Sequence, residues 1–182
     1  MAHSHVAVMM RHRLSAPCVL LALLLTPPVC MAQAPARAFL PSCTVQRVSD
    51  GDSFRCTDGR RVRLIGIDSP ELGQRPFGPQ AQRALLDLLP LGAIVGMEAD
   101  ASQRDRFGRA LAYVWSGTTL VNEAMVRDGW AVIYTVPPNV KYARRLAEAQ
   151  NEARARSAGL WSGRGFDCLP GDFRRRRCVS PP

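Results

Sequence analysis

Three carboxylates and two arginines, each beside turn residues, are the side chains of this sequence best able to do chemistry on a phosphate. In chain order they are Asp52, Arg63, Asp68, Glu71 and Arg109. Carboxylate oxygens bind hard cations such as Ca²⁺, and the planar guanidinium of arginine binds two phosphate oxygens at once. A site that holds both kinds of group is suited to cutting a phosphodiester bond.

Asp52 and Asp68 are expected at the ends of adjacent strands. Asp52 follows the turn signal Asp50-Gly51, and Asp68 begins the segment Asp-Ser-Pro-Glu. The proline that follows Ser69 forces this residue into extended backbone, which leaves the Ser69 carbonyl outside regular strand pairing. Two carboxylates, this carbonyl and water molecules would together form a shell for Ca²⁺.

Glu71 and the two arginines would act on the reacting phosphate. Glu71 lies three residues after Asp68, close enough to hold and deprotonate a water molecule. The pentavalent transition state gains negative charge on its equatorial oxygens, and cations that already point there stabilise it. Arg63 lies five residues before Asp68, so strand alternation places the two on opposite faces unless a bulge or bend intervenes. From the residues alone, Arg63 and Arg109 could equally be solvated surface charges.

The elements that must position these residues are predicted to be five strands and three helices. Turn signals at Asp50-Gly51 and Asp58-Gly59 separate three alternating segments, which indicates an antiparallel meander. The predicted strands cover about residues 43–49, 53–57, 61–67, 93–99 and 109–115, and the predicted helices cover about 79–89, 120–127 and 140–157. A helix between the third and fourth of five strands is the order of an OB-type barrel, a mainly β fold of the α+β class.

The N-terminal segment, residues 1–32, has the features of a secretory signal peptide. Basic residues around Arg11 precede the apolar run Leu14 to Leu25, and Ala32 offers a small residue for cleavage. The apolar run is too short for an ordinary membrane span, although an uncleaved N-terminal anchor is the alternative. Cleavage predicts a secreted or periplasmic protein without stable membrane association.

Beyond the signal peptide, the chain is long enough for one compact domain. Residues 33–42 are rich in Pro and Ala and are predicted to be a linker, and residues 162–182 form a basic tail. The mature chain has 22 Lys and Arg against 15 Asp and Glu, a net charge of +7. A basic surface favours polyanions such as nucleic acids, but charge alone also suits a generic soluble surface.

Four cysteines remain after cleavage, and an even number in an exported chain suggests two disulfides. Cys43 and Cys56 flank a turn between adjacent predicted strands, whereas Cys168 and Cys178 bracket the tail. This spacing favours the pairs Cys43–Cys56 and Cys168–Cys178 among the three possible pairings. A zinc site would need a close Cys pair or His ligands, and all three His residues lie within residues 1–32.

Five segments in this order resemble the staphylococcal nuclease (thermonuclease) family. They read VSDGDSF, VRLIGIDSPE, FGPQA, DRFGRALAYV and VNEAMVRDGWA, and the similarity runs from about Cys43 to Trp161. The resemblance implies an OB-fold nuclease domain over residues 43–161. It also implies a secreted or periplasmic enzyme with Ca²⁺-dependent hydrolysis of DNA and RNA that leaves 3′-phosphate and 5′-hydroxyl ends.

The resemblance also implies roles for individual residues. Matched by motif, Asp52 and Asp68 would be Ca²⁺ ligands, with Ser69 contributing its backbone carbonyl. Glu71 would be the general base or would orient the water, while Arg63 and Arg109 would bind the phosphate and stabilise the transition state. Tyr134 matches a tyrosine that contacts the nucleotide.

Four departures from the family pattern concern substrate contacts more than chemistry. Ser69 replaces a threonine, and the loop from Leu72 to Phe77 is shorter. Phe107 stands where the staphylococcal enzyme has tyrosine, so a hydroxyl contact is lost while base stacking remains available. Val136 replaces a second tyrosine. These changes predict altered affinity or base preference.

Three functions compete at this stage. The first is an exported, monomeric, Ca²⁺-dependent nuclease, and the second is an OB-fold protein that binds nucleic acid without cutting it. A periplasmic OB module for carbohydrate or protein is the third. The complete set of three carboxylates and two arginines favours the enzyme, because non-catalytic relatives usually lack part of the acidic set.

Overall fold

Eight strands and four α-helices make up the described part of the chain, residues 39–178 of a computed structural model. The predicted signal peptide, the first part of the linker and the last four residues lie outside it. The strands are β1 (Phe39–Val48), β2 (Ser53–Cys56), β3 (Arg61–Leu64), β4 (Gly66–Asp68), β5 (Ile94–Glu98), β6 (Ala110–Ser116), β7 (Thr119–Leu120) and β8 (Val132–Tyr134). The helices are α1 (Phe77–Leu88), α2 (Val121–Arg127), α3 (Ala143–Ala155) and α4 (Pro170–Arg174), with a 3-10 helix at Gly159–Ser162.

Five of the strands close into a barrel. The strand order is β3-β2-β1-β5-β6, with antiparallel neighbours, and a parallel pairing of β3 with β6 closes the ring. The alternating apolar residues of these strands point inward and form the core, as shown by the fully buried Phe54, Val62, Leu64, Val95 and Met97. The predicted five-stranded, OB-type α+β fold is therefore confirmed.

The predicted third strand, residues 61–67, is divided in two. β3 ends at Leu64 and pairs with β6, whereas β4 begins at Gly66 and pairs with β8. The division occurs at Gly66, whose backbone has the left-handed φ of +82° that favours glycine. A Cβ at this position would lie 2.5 Å from Leu146 Cδ1, so the residue is also constrained by the close approach of α3. The alternating apolar pattern is continuous across the break and therefore predicted a single strand.

The side chain of Asn122, in the first turn of α2, holds this break against the barrel. Its Nδ2 donates to the carbonyl oxygens of Ile65 and Ala112, at 2.8 and 3.3 Å, and its Oδ1 accepts the Val114 N–H at 2.9 Å. Asn122 is fully buried. One side chain thus supplies hydrogen bonds to a backbone that leaves its strand pairing, as a buried backbone requires.

A second buried polar group, Glu98, connects the end of β5 to the start of α3. Its carboxylate accepts hydrogen bonds from Trp115 Nε1 at 2.8 Å and from the Tyr142 hydroxyl at 3.0 Å, and it pairs with Lys141 Nζ at 2.5 Å. Burial alone would raise the pKa of Glu98, but these hydrogen bonds and the lysine charge outweigh burial and lower it. Glu98 is therefore held as a carboxylate inside the fold.

The three predicted helices are present, with bounds shifted by a few residues. Pro79 lies in the first turn of α1, as predicted, while α3 begins at Ala143, three residues later than predicted. The short α4 in the tail was not predicted, because five residues give no periodic pattern. Within residues 39–178, no helix combines the length and the apolar character needed to cross a membrane.

Both predicted disulfide pairs are bonded in the structure. Cys43–Cys56 joins β1 to β2 inside the core, and Cys168–Cys178 joins two residues ten positions apart on either side of α4.

The linker prediction needs a correction at its end, because β1 begins at Phe39 and pairs with β5 in the register Phe39↔Glu98. Two apolar residues, Phe39 and Leu40, interrupt the Pro- and Ala-rich composition, so the sheet begins inside the predicted range of residues 33–42.

Candidate active site

A groove of about 760 Å³ brings most of the predicted site residues together. Its walls come from β3, β4, the residues after β4, the turn before β6, the segment after β8, and α4. The lining includes Asp52, Arg63, Ser69, Glu71, Phe107, Arg109 and Tyr134. Asp68, only 2% exposed, lies behind this lining in contact with Arg63. The groove thus joins residues from segments that are far apart in the chain.

Asp52 is held by the residue that follows β4. Its Oδ2 accepts the Ser69 backbone N–H at 2.9 Å and the Ser69 hydroxyl at 3.2 Å. The preceding turn has the predicted form, since Asp50 Oδ1 accepts the Asp52 N–H at 3.0 Å. The Asp52 and Asp68 segments therefore lie side by side, as the turn signals indicated.

Burial dominates the ionisation of Asp52. It raises the pKa of this carboxyl to about 7, and the negative charges of Asp50 and Asp68 act in the same direction. The positive charge of Arg63 and the hydrogen bond from Ser69 work against this increase. A buried carboxylate pair of this kind is stabilised by cations, so its chemistry favours binding one.

Arg63 connects the two aspartates. Its Nε lies 3.1 Å from Asp52 Oδ1, its Nη2 lies 3.2 Å from Asp68 Oδ1, and its Nη1 donates to the Leu64 carbonyl. Strict alternation predicted that Arg63 and Asp68 face opposite sides. The strand break at Gly66 is the bend that brings them to the same side.

Glu71 lies on a short loop that its neighbours fix in place. Its N–H donates to Gln74 Oε1 at 2.8 Å, and its carbonyl accepts the Gln74 N–H at 2.8 Å. Gly78 packs directly against this carbonyl, since a Cβ there would lie 2.0 Å from the oxygen. The Glu71 side chain is 35% exposed, so water can reach it.

Arg174 is the site residue that sequence reasoning did not identify. Its Nη1 lies 2.6 Å from Glu71 Oε1 and 3.1 Å from Asp68 Oδ1, and its Nη2 lies 2.8 Å from Asp68 Oδ2. The hydrogen bonds that Arg174 donates to Asp68 raise the pKa of Arg174, and the bond to Glu71 adds to this increase, against the effect of burial. The sequence shows the run of arginines in the tail, but it does not show which of them contacts the carboxylates.

Arg109 lines the groove but pairs with a different acid. Its Nε lies 2.6 Å from Asp105 Oδ2, and its backbone N–H donates to Asp105 Oδ1 at 2.9 Å. Burial would raise the pKa of Asp105, but these bonds lower it overall. The guanidinium of Arg109 also lies over the ring of Phe107, at 5.7 Å from its centroid. Arg109 therefore lines the same groove as Asp52 and Glu71, while its ion pair is with Asp105.

Two exposed rings flank the groove and could contact bases. Phe107 and Tyr134 both line the groove, and they are 57% and 50% exposed. The guanidinium of Arg106 also lies over the Phe107 ring, 4.8 Å from its centroid. Val136, also exposed, lies in the same groove where a second ring was expected.

The donors present fit a hydrated hard cation. Among residues 39–178, no three His, Cys, Asp or Glu side chains converge as a ready-made metal cluster. Asp52, Asp68 and the Ser69 carbonyl are hard oxygen donors, which suits Ca²⁺ more than zinc. Since Ca²⁺ takes about six to eight oxygens, water and substrate would supply the remainder.

Comparison with known proteins shows which proteins this chain is similar to. The family described as staphylococcal nuclease homologue matches residues 61–163. The chain is 37% identical over 128 residues to a thermonuclease of Staphylococcus intermedius, covering 66% of this chain and 76% of that protein. A thermonuclease of Staphylococcus hyicus is 36% identical over 126 residues, covering 65% and 74%. Endonuclease YncB of Bacillus subtilis is 29% identical over 136 residues, covering 70% and 64%.

Proposed function

The chain belongs to the staphylococcal nuclease family, and on that premise we propose that it is an exported, Ca²⁺-dependent nuclease. Its substrates are DNA and RNA, cut with little sequence preference to leave 3′-phosphate and 5′-hydroxyl ends. The observation that carries the proposal is the contact of Arg63 with both Asp52 and Asp68, within 3.2 Å, beside the water-accessible Glu71.

The charges of the groove suit a polyanionic substrate. Six arginines line it: Arg61, Arg63, Arg104, Arg106, Arg109 and Arg174. Arginine binds phosphate with two parallel hydrogen bonds, and a positive groove raises the encounter rate with nucleic acid. The exposed rings of Phe107 and Tyr134 supply sequence-tolerant stacking surfaces. This combination supports binding of a flexible strand without reading its bases.

The residues of the site divide the reaction among them. Glu71 takes a proton from a water molecule, and the water oxygen attacks phosphorus in line with the 5′-oxygen. The bond from phosphorus to the 5′-oxygen breaks, and this oxygen takes up a proton from solvent. Arg63 and Arg109 hold the negative charge that develops on the phosphoryl oxygens. When bound at Asp52, Asp68 and the Ser69 carbonyl, Ca²⁺ supplies further neutralisation of that charge.

We also propose the domain organisation and location that accompany this activity. Residues 1–32 are a cleaved signal peptide, residues 43–161 carry the nuclease, and residues 162–182 form the disulfide-closed tail. The two bonded disulfides favour an oxidising compartment, which supports secretion or a periplasmic location. The enzyme acts as a monomer.

The test uses residues 33–182 with both disulfides formed. We expect cleavage of single-stranded DNA with added Ca²⁺, no cleavage with chelator, and no cleavage by Asp52→Ala under either condition. Asp58→Ala is the matched control, since Asp58 is an exposed aspartate paired with Arg60. Products should accept phosphate at their 5′ ends without prior dephosphorylation. Binding of DNA without any cleavage would instead identify a non-catalytic nucleic-acid-binding protein.

A further inference from the structure

The disulfide-closed tail is docked on the loop that carries Glu71. Gln74, whose side chain holds the Glu71 N–H, donates from Nε2 to the Cys168 carbonyl at 2.9 Å. The Phe173 ring packs against Gly73, where a Cβ would lie 3.3 Å from it. The Cys168–Cys178 bond closes the segment around α4. These contacts fix the position from which Arg174 reaches the groove.

Arg174 occupies the oxygens that the metal would need. Its two terminal nitrogens bind both oxygens of Asp68, and one of them also binds Glu71. Ca²⁺ binds carboxylate oxygens at about 2.3–2.6 Å, and both oxygens of Asp68 are covered by the positively charged fork of Arg174. Arg174 also adds a positive charge at this position, which opposes entry of a second cation.

Of the two arginines on Asp68, Arg174 is the one that can leave. The Arg63 side chain is 13% exposed and is held by Asp52 and the Leu64 carbonyl as well. The Arg174 side chain is 42% exposed, so water competes for its ion pairs and lowers their strength. Exchange of Arg174 for a metal ion is therefore possible without unfolding the barrel.

We propose that Arg174 competes with the divalent cation for Asp68, and that the disulfide-closed tail holds Arg174 beside Asp68 and Glu71. This inference rests on the proposed function, because it assumes that Asp68 binds the metal. With Arg174 in place, the charge of Asp68 is paired and one oxygen of Glu71 is bound by the guanidinium. Metal binding displaces the guanidinium and frees both carboxylates. The disulfide-closed tail thereby sets the Ca²⁺ concentration at which the site becomes active.

Calorimetric titration with Ca²⁺ in the absence of substrate tests the competition directly. We expect Arg174→Ala to bind Ca²⁺ roughly tenfold more tightly than the wild type, because a multiple ion pair of partly exposed groups is lost as a competitor. Arg175→Ala is the matched control, since Arg175 lies next in the chain and pairs with Asp172. Arg174→Lys, which keeps the charge but not the fork, should give an intermediate affinity.

A second variant tests the tether. Replacing Cys168 and Cys178 by serine leaves the Cys43–Cys56 bond intact, and it should tighten Ca²⁺ binding in the same direction by a smaller factor. Unchanged affinity in this double variant, with tighter binding in Arg174→Ala, would overturn the role of the disulfide.

The outcomes separate this inference from the proposed function. If the wild type and Arg174→Ala bind Ca²⁺ equally, or if Arg175→Ala tightens binding as much as Arg174→Ala does, the competition is wrong and the nuclease proposal stands. If no variant binds Ca²⁺, the metal site fails and both proposals fall with it. Adding Asp52→Ala to the wild type or to any of these variants should weaken Ca²⁺ binding, which assigns the measured heat to this site.

Discussion

Gly78, in the first turn of α1, gives the sharpest test of how Glu71 is positioned. A Cβ at residue 78 would lie 2.0 Å from the Glu71 carbonyl oxygen and 2.8 Å from Leu72 Cα, whereas Cβ contacts under 3.0 Å essentially never occur. The obstructing atoms are backbone, so they cannot rotate away. Gly78→Ala must therefore separate the Glu71 loop from the start of α1 by at least about 1 Å, taking 3.0 Å as the closest tolerated approach.

The magnitudes predict a large effect on catalysis and a small effect on stability. A misplacement of about 1 Å in a catalytic group costs roughly a hundredfold in rate. Overpacking costs about 1–3 kcal/mol, and the better helix propensity of alanine offsets up to about 1 kcal/mol of this. We therefore expect kcat to fall about a hundredfold while the free energy of unfolding falls by about 2 kcal/mol or less.

The assay measures kcat and KM on single-stranded DNA together with urea unfolding. Gly163→Ala is the matched control, because Gly163 has open space around its Cβ direction, and it should change neither quantity. Glu71→Gln gives the rate expected when the base is lost entirely. Wild-type kcat in Gly78→Ala, with Glu71→Gln inactive, would refute the view that packing against Gly78 sets the position of Glu71.

Three further predictions concern stability, pH and phosphate binding. Asn122→Ala should lower the free energy of unfolding by about 2–4 kcal/mol, because it leaves buried backbone groups unpaired. Urea unfolding measures this loss, with the exposed Asn151→Ala as the control. A loss below about 1 kcal/mol would contradict the prediction. The lowered pKa of Glu98 adds stability above its unfolded pKa, about 4.3, and this stability is lost as the pH falls through the lower folded pKa. Glu98→Gln should therefore reduce the melting temperature at pH 7 and flatten its decline in acid; an unchanged profile would show that the carboxylate contributes nothing. Arg109→Lys should reduce kcat by about tenfold or more, because a point charge does not replace the bidentate fork. Full activity in Arg109→Lys, equal to that of the exposed control Arg83→Lys, would make Arg109 a surface charge.

The part of the site that was predictable from sequence is the part built by neighbours in the chain. Asp52 and Asp68 end segments joined by short turns, so their strands had to pair, and the structure places Ser69 within hydrogen-bond distance of Asp52. Local chemistry was equally reliable at Asp50, whose side chain bonds the backbone two residues later. Turn residues and strand alternation are local signals, and here local contacts decide the geometry.

The features that were missed depend on contacts between distant segments. The break at Gly66 is invisible in the apolar pattern, because the close approach of Leu146 and the hydrogen bonds of Asn122 impose it from other elements. β8 is three residues long and exists through its pairing with β4. Arg174 contacts Asp68 across 106 residues of sequence. No window of sequence contains the partners of these residues, so no local pattern could reveal them.

The two arginines on Asp68 suggest why the site can fold before it binds a metal. Asp52 and Asp68 are both almost fully buried, and burial raises the pKa of Asp52 to about 7. A buried carboxylate pair costs free energy unless cations accompany it. Arg63 is built into β3 and contacts both aspartates, but it meets Asp68 through a single oxygen. Arg174 binds both oxygens of Asp68 from the end of α4, and its side chain is partly exposed. Arg63 thus stabilises the folded site, whereas the positive charge of Arg174 can be exchanged for that of a metal ion.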